Sequence, residues 1–213
     1  MFETLMSKTF VILTGSLLFA WLGSLLSVRV HTNALEKGNF SKSYNFAAMI
    51  INIIALILLL FFYRSFPLNM CLMALFTASS GFTLGIYFVA YKGTAQKALA
   101  LTFLTTFLTG LIATYSGLDF AWLGKILFTA LIILIIYSII RIFINIGGQR
   151  IMAGFGVLIF IGYLLFDFNR LAKAKAVALA NNWETALSFA INIYLDIINL
   201  FLYLVQFMSS SNN

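Results

Sequence analysis

Six acidic residues stand in 213, and two of them interrupt stretches that are otherwise almost wholly apolar. Asp167 lies in Tyr163-Leu164-Leu165-Phe166-Asp167-Phe168-Asn169-Arg170, and Asp196 in Ala190-Ile191-Asn192-Ile193-Tyr194-Leu195-Asp196-Ile197-Ile198-Asn199. An ionised carboxylate in mid-helix costs about 2.5–3.5 kcal/mol on membrane-insertion scales, so such a residue usually marks function. Asp167 stands 14 residues before Asn181, and Asp196 stands 14 after Asn182. If the helix bearing Asp167 continues past Arg170 and the chain turns at Asn181-Asn182, both acids lie about 21 Å from the turn, at one level. Two carboxylates at one site cannot both ionise cheaply. A facing pair is therefore expected to share a proton and to exchange it at a pH a cell can use. The count sets the level of the pair but not the rotation of the two faces. Glu3, Glu36, Asp119 and Glu184 fall in termini or connectors, where solvation is the expectation.

Other polar residues surround this pair in the sequence. Asn192, Asp196, Asn199 and Tyr203 recur at intervals of four, three and four, which places them on one helical face. Such a stripe belongs toward protein or a water-filled cavity. It serves either a functional site or interhelical hydrogen bonding, and the two are compatible. Carboxylates at Asp167 and Asp196, with the amide oxygens of Asn192 and Asn199, are ligands of the kind calcium prefers, suited to transient contact with a passing ion. Arg64 closes the second apolar stretch on the membrane side of the last hairpin. Its guanidinium could fork onto a carboxylate, or it is an arginine snorkelling to the interface.

The elements that must position these residues are apolar runs of membrane-spanning length. Seven appear, at about 10–28, 44–63, 68–91, 98–116, 122–144, 151–168 and 186–208, each near the 20 residues that cross a bilayer as a helix. The expected fold class is all-α: an integral membrane protein of seven transmembrane helices in a single domain, 1–213. Alternation of period two is absent, which argues against a β-barrel. The connectors read as Arg29–Ser43 with His31, Ser65-Phe66-Pro67, Lys92–Lys97, Ser116–Asp119, Asn145–Arg150 with Gly147-Gly148, and Arg170–Trp183. The first run has no small-residue cleavage site and is expected to remain as a helix. Gly81-Phe82-Thr83-Leu84-Gly85 matches the GxxxG helix-packing pattern. Seven spans put six basic residues on the amino-terminal side and seven on the other, so the charge rule for orientation decides nothing beyond a mild bias from the Arg170–Lys175 cluster.

Composition excludes several classes. Hydrophobic residues make up 62% of the chain and charged residues 9%, against about a quarter charged in a soluble domain. The net charge of +7 does not imply nucleic acid, because the basic residues sit singly between apolar runs. One cysteine, Cys71, permits no internal disulfide or CxxC pair. One histidine, His31, permits no His-based metal site and is expected to be a solvated loop residue. No cofactor is expected. Enzymatic activity is not expected either, since the Gly-x-Gly-Asp context of a membrane aspartyl protease is missing around both acids.

The segments Phe166-Asp167-Phe168-Asn169-Arg170-Leu171 and Ile193-Tyr194-Leu195-Asp196-Ile197-Ile198-Asn199-Leu200-Phe201 resemble the closing motifs of the Bax inhibitor-1 family. Chain length, helix count and a Ser80-Gly81 step in the third helix extend the likeness over most of the layout. The resemblance implies two three-helix layers around a central C-terminal helix, with the residues at Asp167 and Asp196 as a proton-sharing pair that switches closed and open states. It implies a slow, pH-regulated calcium leak, or the binding and modulation of a membrane protease or cell-death protein. Arg64 falls near a basic latch of the family, reduced here to one residue, and where some relatives carry an acid within the second helix, Asn52 is the only polar residue in the middle of that run here. On this basis the expected function is a pH-sensitive calcium leak in the lipid bilayer with calcium as the permeant ion. The alternatives are a non-transporting regulator of a membrane-protein partner and a proton-coupled transporter. The brevity of the chain points to a bacterial inner membrane.

Overall fold

The computed structural model describes residues 4–36, 43–144, 147–174 and 180–209, with the backbone alone at Ile142. Glu3, Lys37, Gly38, Lys42, Asn145 and Lys175, each part of a terminus, connector or basic cluster named above, lie outside the described residues. Seven α-helices follow in order: α1 (Leu5–Glu36), α2 (Ser43–Phe61), α3 (Leu68–Ala90), α4 (Lys92–Tyr115), α5 (Leu123–Phe143), α6 (Gln149–Ala172) and α7 (Trp183–Ser209). All seven are long and apolar enough to cross a membrane, and the described residues form no strand.

Polarity runs opposite to that of a soluble bundle. Outward-facing positions are large and apolar, as at Phe61, Phe103 and Phe143. The buried face of α1 carries Leu5, Ile12 and Leu13 in its first turns and is otherwise small or polar, at Thr9, Ser16, Ala20, Gly23, Ser27 and His31. Lipid solvates the large side chains, and packing selects the small ones. Several buried hydroxyls return to their own helices, with Thr9 donating to the Leu5 carbonyl at 2.9 Å and Ser16 to Ile12 at 2.8 Å, which satisfies those donors within the helix; the buried Thr106 Oγ1 has no such partner among the described residues.

Two compact units divide the chain. The first holds α1, α2, α3 and residues 180–191; the second holds α4, α5, α6 and residues 192–213, so α7 contributes to both. In the first unit α1 and α2 both pack on α3. A Cβ added at Gly81 would fall 1.8 Å from the Ala20 carbonyl oxygen, and one at Gly23 would fall 2.0 Å from that of Ala78. The GxxxG of α3 is thus a backbone-to-backbone contact with α1. On the other flank of α3, the Asn52 amide of α2 donates to Ser80 Oγ at 2.7 Å and to the Phe76 carbonyl at 2.9 Å. Lys8 reaches the Asn181 carbonyl at 2.8 Å, and Asn182 caps α7 by accepting from the Thr185 amide at 2.8 Å. In the second unit α5 packs on α6, with Gly162 against Leu127 and Gly124 against Phe166.

Three expectations are corrected. His31 is not in a solvated loop. Helix α1 runs to Glu36, and His31 is 1% exposed on its buried face, Nδ1 lying 2.8 Å from the Ser27 carbonyl oxygen and its ring 5.8 Å from that of Phe82. A polar residue one turn after Ser27 simply continues the polar inner face. Lys92–Lys97 is not a connector: these residues are the first turns of α4, and Tyr91 alone separates it from α3. Finally, α6 passes Arg170 by only two residues, and residues 173–182 join it to α7. The continuous-helix premise behind the equal-level count therefore fails, and residues 175–179 of the stretch it counted over lie outside the described residues.

Candidate functional site

Asp167 sits near the end of α6, and Asp196 near the middle of α7. They are 5% and 6% exposed, so neither charge is dispersed by water. Their side chains lie within hydrogen-bonding reach of each other. Two ionised carboxylates offer no donor, so this contact becomes a hydrogen bond only when one of them carries a proton. Asp196 Oδ2 is buried and has no protein donor among the described residues. Asp167 is differently served: Arg170, one turn along α6, brings Nη1 to 3.4 Å from its Oδ1. That guanidinium is about half exposed and lies 5.4 Å from the Phe166 ring. On the other side, Tyr163 stands close enough to both acids to feel their charge.

Asn169 fixes the end of α6 beside this pair. It is buried, and its amide nitrogen donates to the carbonyls of Ala113 at 3.1 Å and Leu118 at 3.0 Å, while its oxygen accepts from the Phe120 amide at 3.2 Å. Both ends of the α4–α5 loop are thereby held to α6. Lys173 adds a 3.0 Å ion pair to Asp119 in the same loop. Asp119 accepts from the Ala121 amide at 3.0 Å. That backbone hydrogen bond, and then Lys173, hold its carboxyl below the usual carboxylate range.

The stripe on α7 is present. Asn192, Asn199 and Tyr203 are all half-buried beside buried Asp196. Asn199 donates to the Leu195 carbonyl of its own helix at 2.8 Å, so this bond does not join helices. The Tyr203 ring stacks on Phe160 at 5.6 Å, in the space left by Gly156. Arg64 is exposed in the turn after α2, its guanidinium 5.1 Å from the Tyr63 ring. The arginine beside the acids is Arg170. No group of three or more His, Cys, Asp or Glu that could hold a metal ion occurs among the described residues.

The family described as inhibitor of apoptosis-promoting Bax1 matches residues 3–213. The chain belongs to the Bax inhibitor-1 family. Among relatives of this Bax inhibitor-1 protein, the BI1-like protein of Arabidopsis thaliana is 32% identical over 160 residues, covering 71% of this chain and 59% of the relative. Protein LIFEGUARD 1 of the same plant is 31% identical over 176 residues, 78% of this chain and 70% of the relative. The Golgi anti-apoptotic protein of vaccinia virus strain Lister is 35% identical over 150 residues, 68% of this chain and 60% of the relative. The match thus spans about three fifths of the BI1-like and viral proteins. Arg170, Asn169 and Tyr163 were not among the expected site residues. Tyr163 and Arg170 had a signal in spacing, since positions four before and three after Asp167 share its helical face, whereas Asn169, two after it, does not.

Proposed function

We propose that this Bax inhibitor-1 protein is a pH-gated, low-flux cation leak with calcium as the permeant ion, its conformation set by a proton shared between Asp167 and Asp196. The contact between the two buried carboxyls carries this reading. With the proton present, an O–H···O hydrogen bond ties α6 to α7. Without it, two like charges face each other in a low dielectric, where repulsion is strong. Arg170 lies beside Asp167, while Asp196 Oδ2 has no protein donor among the described residues, so the two members are unequally served. The result is a two-state contact whose balance a proton shifts. Calcium touches the carboxylates only in transit, because two acids fall short of the six to eight oxygens a resident ion takes.

The test is calcium entry into proteoliposomes holding the pure protein at several pH values, with Asp167→Asn and Asp196→Asn alongside. The expected result is a pH-dependent flux whose pH response either substitution flattens. Flux equally pH-independent in wild type and Asp196→Asn would sink the gate. A second reading, a non-transporting regulator of a membrane-protein partner, is favoured by the anti-apoptotic name of the viral relative. It predicts a stable co-purifying complex and no flux in pure liposomes.

A further inference from the structure

At the other end of α6 from the acids, the second unit bears a half-open cavity of about 380 Å³ lined by residues of α5, α6 and α7, within the range of small-molecule pockets, about 300–1,000 Å³. Its floor includes Leu134 and Ala153, and its polar lining includes Arg141, Gln149, Tyr203 and Gln206. Arg141 lies in the last turn of α5 and Gln149 opens α6, so the cavity stands at the rim of the apolar spans.

Its charge is unbalanced. Arg141 Nη2 donates to Gln149 Oε1, a neutral acceptor. The ion pairs among the described residues are Arg170 with Asp167 and Lys173 with Asp119, and no acid lines the cavity. The next residue in sequence, Arg150, lies outside the cavity lining, its guanidinium 5.2 Å from the Phe207 ring. The α5 dipole favours a cation in its last turn. That accounts for Arg141 on the helix, but not for the half-open cavity its side chain lines.

We propose that this cavity is a binding site for the phosphate headgroup of an anionic lipid, with Arg141 as the charged anchor and Gln149 and Tyr203 as neutral partners. A guanidinium recognises phosphate through two parallel N–H···O bonds. The position at the rim of the spans is where headgroups lie, and the mixed polar and apolar lining suits a group that joins a charged head to acyl chains. Tyr203 is held for this role by its stacking on Phe160, which gives the last member of the α7 stripe a task separate from the acids.

The experiment is native mass spectrometry of the detergent-purified full chain, titrated separately with phosphatidylglycerol, phosphatidylcholine and inorganic phosphate. Wild type is expected to retain phosphatidylglycerol about ten-fold more tightly than phosphatidylcholine, and Arg141→Gln to lose about ten-fold in affinity for it. Gln149→Glu keeps the test valid if Arg141→Gln does not fold. It sets a carboxylate on the guanidinium, preserves the local contact and is expected to lower phosphatidylglycerol retention equally. Unchanged retention in Gln149→Glu, or equal binding of the two lipids, would overturn the proposal. Arg141-dependent binding of inorganic phosphate with no lipid adduct would overturn the assignment to lipid.

Discussion

Arg170 makes the two acids unequal, and that inequality decides what each substitution does. Asp196→Asn sets an amide donor opposite Asp167, so the contact persists without a shared proton and proton dependence is expected to disappear. Asp167→Asn leaves Arg170 facing a neutral group while Asp196 keeps its buried site. The two variants are therefore expected to differ in thermal stability in detergent, Asp196→Asn melting closer to wild type. Asn169→Ala strips a buried amide from three backbone partners, and the stranded Phe120 amide and two carbonyls should cost about 1–3 kcal/mol. Faster hydrogen exchange at Phe120 is the accompanying readout. Asp119 answers to pH. Its carboxyl is held low in the fold, so its contribution is present above the unfolded value, near 4, and is lost as pH falls through the folded value. Exchange at the Ala121 amide should accelerate in that acid window in wild type, and should show no such step in Asp119→Asn. Asp167 and Asp196 were legible in the sequence because a charge in lipid is costly enough to be conspicuous. Asn169 was not, since an asparagine at a helix end reads as a terminus until the loop it grips is seen.

At the scale of elements, hydropathy located all seven helices but misplaced ends wherever a helix outlasted its apolar run. The first turns of α4 are Lys92-Gly93-Thr94-Ala95-Gln96-Lys97, which no apolar window includes, and the last turns of α1 carry His31 on a buried polar face. Hydropathy sees the outer face, which lipid dictates. The inner face is chosen by close approach, and small residues give that little signal beyond Gly81 and Gly85. Gly81→Val is expected to lower the melting temperature sharply, because its side chain meets the Ala20 backbone rather than a movable side chain. Overpacking of this kind costs about 1–3 kcal/mol or more. Gly15→Ala, on the same α1 but with nothing within 4 Å of the added Cβ, should leave the melting temperature near that of wild type. Equal melting of the two variants would show that the α1–α3 contact is looser than described.

For the whole molecule, seven spans alternate sides, and the side that faces Asp119 matters to the gate. The loop bearing Asp119 is strapped to the end of α6 through Asn169 and Lys173, and Asp167 lies only five residues before that end, about 7.5 Å along the axis. The water nearest the acids is therefore on the Asp119 side. Basic residues divide too evenly to say whether that side faces the cell interior, but reconstituted vesicles do not require the answer. In a Cys71→Ala background, since Cys71 is itself exposed, Asp119→Cys and Gly147→Cys should react with a membrane-impermeant maleimide from opposite sides. Vesicles sorted by that labelling then permit pH to be set on one face at a time. Calcium entry should follow the pH of the compartment that labels Asp119→Cys and ignore the pH of the other. If it follows the Gly147 side instead, protons reach the pair along the α7 stripe past Asn199 and Tyr203, and the strapped loop is a seal rather than an entrance.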